Sequence, residues 1–478
     1  MLGVALWAGG EGSGFLEGPA LRVAALGLTL TFWWLTEALP IAWAACSTLL
    51  LFPLFRASGS ESFLGEVRAA WQPFFWNPYQ ALFAGGMVLA AAIEAQGLHH
   101  RLALNVLVRM GAGPRRLLAG VLSATALVSL WLSNTATAAM MLPIALALVD
   151  RLENREGRSL GRYATALLLA VAWGANVGGI GTKIGTAPNS QLSGFLERWD
   201  FRISFLEFSA VGLPFVCVLL PIVWSLLWWM GHRDAPQAGA REEVAQELAA
   251  LGRTNPGERR VAWLFLGTAG AWMCAPWAIQ PLQKLIPGLR SAELEGALAI
   301  AAGTLALLMP SGTGRPLLTL SELRRVRWST LLLLGGGFTL AAAVEGSGLS
   351  KDLSRALQGL SGFTPLLQTS LAALVSVLLS AVASNTATTA VMLVVLSQAT
   401  VPETRLPALF AATLAASCDF ALPVGTPPNA LVFASGRVRI PVMARYGFGL
   451  DLIAAGLAAV WCSWVVAWLW PPTAFILP

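Results

Sequence analysis

Leu127-Val-Ser129-Leu-Trp-Leu-Ser133-Asn134-Thr135-Ala-Thr-Ala-Ala-Met-Met-Leu-Pro143-Ile-Ala145 is apolar on both sides of a Ser-Asn-Thr triplet, and the chain repeats the arrangement around Ser384-Asn385-Thr386. Each triplet lies within an apolar stretch, Leu117 to Val149 and Leu366 to Val401. One membrane crossing needs about 20 residues and two need about 40 plus a turn, so both stretches are too long for one and too short for two. A re-entrant hairpin over about 117–150 and another over about 366–401 fit that length. Their tips would sit at mid-membrane, where irregular backbone survives only if buried in protein or lining a wet cavity. That is the geometry of a binding site.

Working outward, the triplets belong to a longer duplication. Gly85 to Leu98 matches Gly336 to Leu349, and the residue numbers differ by 251, as they do between Ser133 and Ser384. A third pair, Gly185-Thr-Ala-Pro-Asn189 and Gly425-Thr-Pro-Pro-Asn429, differs by 240. A lone Ser-Asn-Thr would read as hydrogen bonding between helices; three matches in the same order read as two copies of one unit.

The surroundings are those of a bilayer protein: of 478 residues, 56% are apolar and 12% charged, and 20 are tryptophan, read as interfacial anchors and packing. Five scattered cysteines and three histidines give no metal, haem or disulfide pattern. Neither HExxH, paired intramembrane aspartates nor a Ser-His arrangement is present, so an enzyme is not expected. The stretch Met1 to Trp7 is too short and uncharged for a secretory signal, and the N-terminus reads as mature. The net charge of +6 marks loops, not a nucleic-acid partner. Arginines flank the first hairpin on both sides (Arg109, Arg115, Arg116; Arg151, Arg155, Arg158, Arg162) and cluster at 233–260 and 315–327, which places these segments in the cytoplasm. The second hairpin has charge-poor flanks and faces out.

The expectation is an all-α, multi-pass protein of the plasma membrane, of the bacterial inner-membrane type. It is an inverted repeat of five transmembrane spans plus one re-entrant hairpin per half: residues 1–230, a cytoplasmic linker at 231–260, and 261–478. Spans are placed at about 21–39, 40–56, 78–98, 163–182 and 205–230, then 261–281, 292–310, 328–349, 404–434 and 448–470. Glu94 and Glu345 read as span ends, and Arg241 to Glu247 as a surface helix.

Sodium takes oxygen ligands, and carriers supply them as hydroxyls, amide oxygens and carbonyls freed at helix breaks. Ser129, Ser133 and Asn134 with carbonyls near Gly185 make one such set; Ser380, Ser384 and Asn385 with carbonyls near Gly425 make the other. Gly-Thr-x-Pro-Asn breaks a helix at 185–189 and again at 425–429, since Gly permits unusual dihedrals and Pro removes a donor. The N–H groups freed there, with the half-helix dipole, suit an anion, and Thr135 and Thr386 extend the polar surface. With no arginine read near the tips, a dianion would be neutralised by cations travelling with it. Lys183 and Asp419 place charges beside the breaks. A charge at that depth is costly and is kept for a partner or a role. Either the two form a strut with each other, or Lys183 acts on the coupling.

At these residues the chain resembles the divalent anion:sodium symporter family of dicarboxylate, citrate and sulfate transporters. The resemblance is carried by Trp33-Trp34-Leu-Thr36-Glu37-Ala-Leu-Pro40, both triplets, Gly185 to Asn189, and Ser417 to Val432. It implies a homodimer with scaffold and transport domains and an elevator movement. It implies one sodium at Ser129, Ser133, Asn134 and Gly185, a second at Ser380, Ser384, Asn385 and Gly425, and a substrate between the triplets with help from Thr186, Thr426 and Pro427. The function implied is sodium-coupled secondary transport of small dianions, C4-type dicarboxylates first. Dicarboxylate exchange, sulfate transport and a passive anion channel are the alternatives. Family members usually carry a further span before the Trp-Trp segment, and Lys183 and Asp419 stand where they more often have uncharged residues.

The inverted topology is open to labelling. In a background cleared of native cysteines, Gly157→Cys should react with an impermeant maleimide only from the cytoplasm and Ser361→Cys only from outside. Labelling of both from one side would overturn the inversion.

Overall fold

The protein is described by a computed structural model over residues 18–111, 113–237, 241–356, 359 and 362–471. The reading of Met1 to Trp7 and the position Ser361 fall outside those residues. The described chain is helices and loops. Fifteen helices carry the argument: α1 (Gly18–Thr36), α2 (Pro78–Ala95), α3 (Pro114–Ser129), α4 (Asn134–Glu156), α5 (Gly161–Gly179), α6 (Ala187–Leu196), α7 (Phe205–Gly231), α8 (Pro256–Leu285), α9 (Ser291–Leu308), α10 (Trp328–Gly346), α11 (Pro365–Ser380), α12 (Asn385–Ala399), α13 (Pro402–Ala416), α14 (Pro427–Ala434) and α15 (Ile440–Trp461).

Local sequence sets many of the boundaries. Proline opens α2, α3, α8, α11, α13 and α14, where its missing N–H costs nothing. Ser204 with Glu207, and Asn255 with Glu258, form capping boxes that start α7 and α8.

Both apolar stretches around the triplets fold as helix, short loop, helix: α3 to α4 and α11 to α12. In each the triplet serine is the N-cap of the second helix, Ser133 accepting from the Ala136 N–H at 3.3 Å and Ser384 from the Ala387 N–H at 3.2 Å. The helix breaks span 180–186 and 417–426, mostly ahead of the expected 185–189 and 425–429, whose last residues are already helical. Helix α5 ends at Gly179 and α6 starts at Ala187; α13 ends at Ala416 and α14 starts at Pro427.

The span count departs from the expected ten. Among the described residues, α4, α7, α8, α9, α10 and Ile440–Leu469 are each long and apolar enough to cross a membrane, and Phe63–Ala95 with Leu98–Met110, bent by 70°, makes a seventh as a pair. The stretch 40–56 becomes two short helices, Ile41–Cys46 and Thr48–Leu54, the second with Pro53 inside. Half-helices α6 and α14, at 10 and 8 residues, are too short to span alone. Glu94 and Glu345 lie at the ends of α2 and α10, and Arg241–Ala250 is a largely exposed helix, as read.

Packing repeats between the halves and then crosses between them. Helix α3 lies along α5, and α11 along α13. The contact of α3 with α5 is backbone-close: a Cβ on Gly174 would meet the Leu122 carbonyl at 2.9 Å, and one on Gly178 would collide with Ala126. Half-helix α6 packs on α12 and α13 of the second half, while α14 packs on α4 and α5 of the first. Helices α2 and α9 pack on each other beside this assembly and meet it through α6. Polar contacts gather the ends of the first hairpin and the 231–260 linker: Arg155 bonds Glu243 at 2.9 Å, and Arg437 reaches Asp150 at 2.6 Å and Glu153 at 2.8 Å.

Candidate functional site

The two breaks expose backbone that an apolar interior cannot solvate, and each is closed by one asparagine. Asn189 Nδ2 donates to the carbonyls of Gly179 (2.9 Å), Ile180 (3.3 Å) and Thr182 (2.6 Å). Asn429 Nδ2 donates to those of Asp419 (3.2 Å) and Leu422 (3.0 Å). Both asparagines are fully buried. The final Asn of Gly-Thr-x-Pro-Asn therefore ties the half-helix back onto the loop that precedes it.

Beside each clasp lies the serine and asparagine of a hairpin. Ser129 Oγ is 2.9 Å from Asn134 Oδ1 and 2.7 Å from the Ala175 carbonyl; Ser380 Oγ is 2.8 Å from Asn385 Oδ1 and 2.6 Å from the Ala416 carbonyl. Asn134 Oδ1 stands against Gly179, where a Cβ would strike it, and Gly185 stands against the Gly179 carbonyl. Ser129, Asn134 and Gly185 thus converge on Gly179, a cluster of neutral oxygens of the kind a hard monovalent cation takes. Ser380 and Asn385 reproduce the first part of that cluster.

The remaining sequence-predicted residues divide. Ser133 is exposed, and Asn134, Thr135, Ser384, Asn385 and Thr386 are half-buried. Thr186 and Thr426 are the N-caps of α6 and α14. Thr426 is already engaged, accepting from Asn176 Nδ2 at 3.1 Å and from the Asn429 N–H at 3.4 Å. Pro427 is the exposed first residue of α14. Among the described residues no hydrogen bond joins the first triplet to the second.

Two expectations are corrected. An arginine does lie at a tip: Arg327, the N-cap of α10, places Nη1 3.3 Å from Thr135 Oγ1. The two residues are 192 apart in sequence, so spacing gave no sign of it. The partner of Lys183 is Glu295 of α9, not Asp419. Lys183 Nζ is 2.8 Å from Glu295 Oε2, both side chains being fully buried, and it also donates to the Ile203 carbonyl and faces the Tyr79 ring at 4.8 Å. Glu295 Oε1 accepts the Phe205 N–H at 2.6 Å. This pair ties the first broken loop to α9 and the start of α7. Missed altogether was Asn176, which bridges the halves by donating to the Asp419 carbonyl at 2.8 Å beside the Trp173 Nε1 bond to the Phe420 carbonyl at 3.2 Å.

The citrate transporter family model matches residues 31–415 of the chain. The chain is 32% identical over 453 residues to the sodium-dependent dicarboxylate transporter SdcS of Staphylococcus aureus strain USA300, covering 92% of this chain and 85% of that protein. The SdcS of strain NCTC 8325 matches to the same extent. Among solved structures, the crystal structure of the Alcanivorax borkumensis YdaH transporter shares the fold with a TM-score of 0.58 at 16% identity, over 95% of this chain and all of that one.

The Lys183 pair generates a stability prediction. Removing one partner of a buried ion pair leaves an uncompensated charge and costs about 3–5 kcal/mol, whereas replacing both with apolar groups is close to neutral. Lys183→Met should lower the thermal denaturation midpoint of the purified protein sharply, and Lys183→Met with Glu295→Met should recover most of the loss. Lys183→Asp with Asp419→Lys should recover none.

Proposed function

The chain belongs to the citrate transporter family, and from that premise we propose that it is a secondary transporter that carries small dicarboxylate dianions across the membrane, driven by sodium. The observation that carries this reading is the duplicated Ser-Asn cluster beside a clasped helix break. One cluster gathers Ser129, Asn134 and Gly185 about Gly179, and in the other Ser380 pairs with Asn385; Ser133, Ser384 and Gly425 complete the two sets in this reading. Each offers a sodium ion neutral oxygens at a place where the backbone has been opened.

The energetics call for such cations. Moving a dianion inward against an inside-negative potential costs roughly 2.3 kcal/mol per charge per 100 mV, so two sodium ions cancel the charge of the substrate and a third makes the step electrogenic. The substrate lies on the hairpin tips, against Ser133, Asn134, Thr135, Ser384, Asn385 and Thr386, with Thr186 and Pro427 at the openings of the two half-helices. Thr426 joins them through its hydroxyl proton, its oxygen already accepting from Asn176 Nδ2 and the Asn429 N–H. Arg327 joins the set at Thr135, giving one carboxylate of the dianion a fixed charge-assisted donor.

The protein works as a homodimer by an elevator movement, in which the hairpins, breaks, α5, α7, α13 and α15 move as one unit against α2 and α8 to α10. The Lys183–Glu295 pair crosses that boundary and holds one position of the unit. Exchange of one dicarboxylate for another is the second reading, favoured by Arg327, since a fixed positive charge reduces the number of cations that must accompany each dianion.

Two measurements on purified protein in liposomes test this. Saturable, concentrating uptake of succinate or malate should require a sodium gradient, and Asn134→Ala and Asn385→Ala should each raise the sodium concentration for half-maximal uptake; wild-type sodium dependence in both would overturn the site assignment. A charge-assisted hydrogen bond contributes about 1.5–3 kcal/mol, so Arg327→Gln should raise the KM for the dianion at least tenfold with little change in sodium half-saturation. Uptake that runs only against internal dicarboxylate, with no sodium requirement, would select exchange.

A further inference from the structure

We propose that Asp419 supplies the charged ligand of a monovalent-cation site at the second break, beside Gly425, so that the two halves bind cations unequally. The proposal deepens the reading of sodium-driven transport given above and rests on it.

The argument begins with the register of the repeat. Gly185 and Gly425 differ by 240 residues, and so do Gly179 and Asp419. The structure bears out that equivalence in detail, because the Gly179 and Asp419 carbonyls each accept from the asparagine that closes their own break, Asn189 at 2.9 Å and Asn429 at 3.2 Å. In the first half this position must be glycine, as a Cβ would strike Asn134 Oδ1. In the second half the same position carries a carboxylate, and Asp419 Oδ2 is packed directly against Gly425.

That carboxylate is fully buried, and neither oxygen has a hydrogen-bond partner. The Ala421 N–H lies near it and is shared with Asp451. No lysine, arginine or histidine among the described residues pairs with it, Lys183 being held by Glu295. Asp451, itself buried, lies close enough to repel it and is occupied by the Phe420 N–H at 2.8 Å. A buried charge without a counter-charge or hydrogen bonds is among the costliest arrangements in a protein. It is a still worse neighbour for a dianion. Both problems are resolved by one bound cation.

The surroundings suit a small hard cation. Ser417 Oγ, two residues before Asp419, and Asn176 Oδ1, on the side chain that donates to the Asp419 carbonyl, are both buried and without hydrogen-bond partners. In the proposed site these two oxygens and carbonyls of the break would accompany the single carboxylate, a set that matches sodium in charge and in ligand type. The first half, with glycine in this place, has only neutral donors. The second site therefore fills at lower sodium and before the substrate, while the first fills later.

The test is sodium-dependent thermal stabilisation of the purified protein, read without substrate and with choline replacing sodium, on wild type and Asp419→Asn. The wild-type denaturation midpoint should rise with sodium, and Asp419→Asn should need at least tenfold more sodium for the same rise. Asp419→Gly, the residue of the equivalent position, should behave likewise and serves if the amide does not fold. Sodium-driven uptake measured in parallel separates the two levels of the reading. If wild-type uptake requires sodium but both variants are stabilised as wild type is, the Asp419 site is wrong and the transport reading stands. If the wild type is stabilised by acid and not by sodium, the carboxylate holds a proton and the proposal falls. If sodium stabilises the wild type through Asp419 while uptake ignores sodium, the site stands and the coupling does not.

Discussion

The structure depends on one constraint: backbone that leaves a helix inside an apolar interior must find new hydrogen-bond partners. At both breaks an asparagine side chain meets that demand, Asn189 over the Gly179, Ile180 and Thr182 carbonyls and Asn429 over those of Asp419 and Leu422. An amide can do this because its two N–H donors reach several carbonyls while its own oxygen stays available. Without the clasp, the Gly179 and Ile180 carbonyls at the first break and the Leu422 carbonyl at the second would lose their partner, at about 1–3 kcal/mol apiece, while those of Thr182 and Asp419 keep the Gly185 N–H and Asn176. The half-helices α6 and α14 could not then hold their positions against the hairpins.

Much of this was legible in the sequence because it is written twice. Hairpins, breaks and the pairing of Ser129 with Asn134 and Ser380 with Asn385 follow from local motifs whose duplication separates them from the apolar background. Long-range partners were not legible. Nothing near Lys183 points to Glu295, which sits on a different helix 112 residues away, and Asp419 drew the pairing only because it was the other charge near a break. Arg327 reads in the sequence as one of a loop cluster of arginines and in the structure touches Thr135. Helix boundaries inside the spans were not legible where helices are broken or short, since hydropathy reports how apolar a segment is and not where its backbone stops. One signal was available and unused: the 240-residue offset that relates Gly185 to Gly425 also relates Gly179 to Asp419.

The duplication is therefore faithful in its backbone and unequal in its charges. The breaks, clasps and Ser-Asn pairs correspond position by position. The first break carries a lysine neutralised by Glu295, and the second carries an aspartate with no such counterpart among the described residues.

The crossed packing has a consequence for how the chain is made. Asn176 and Trp173, buried in the first half, find their hydrogen-bond partners 243 and 247 residues later, at Asp419 and Phe420. At a synthesis rate of about 5–20 residues per second, the ribosome takes on the order of ten to fifty seconds to deliver them. Through that interval the Asn176 amide and the Trp173 indole N–H lack these partners. The newborn protein is most exposed to quality-control proteases and to wrong helix partners at that point, and a fragment that stops before the second break never leaves it.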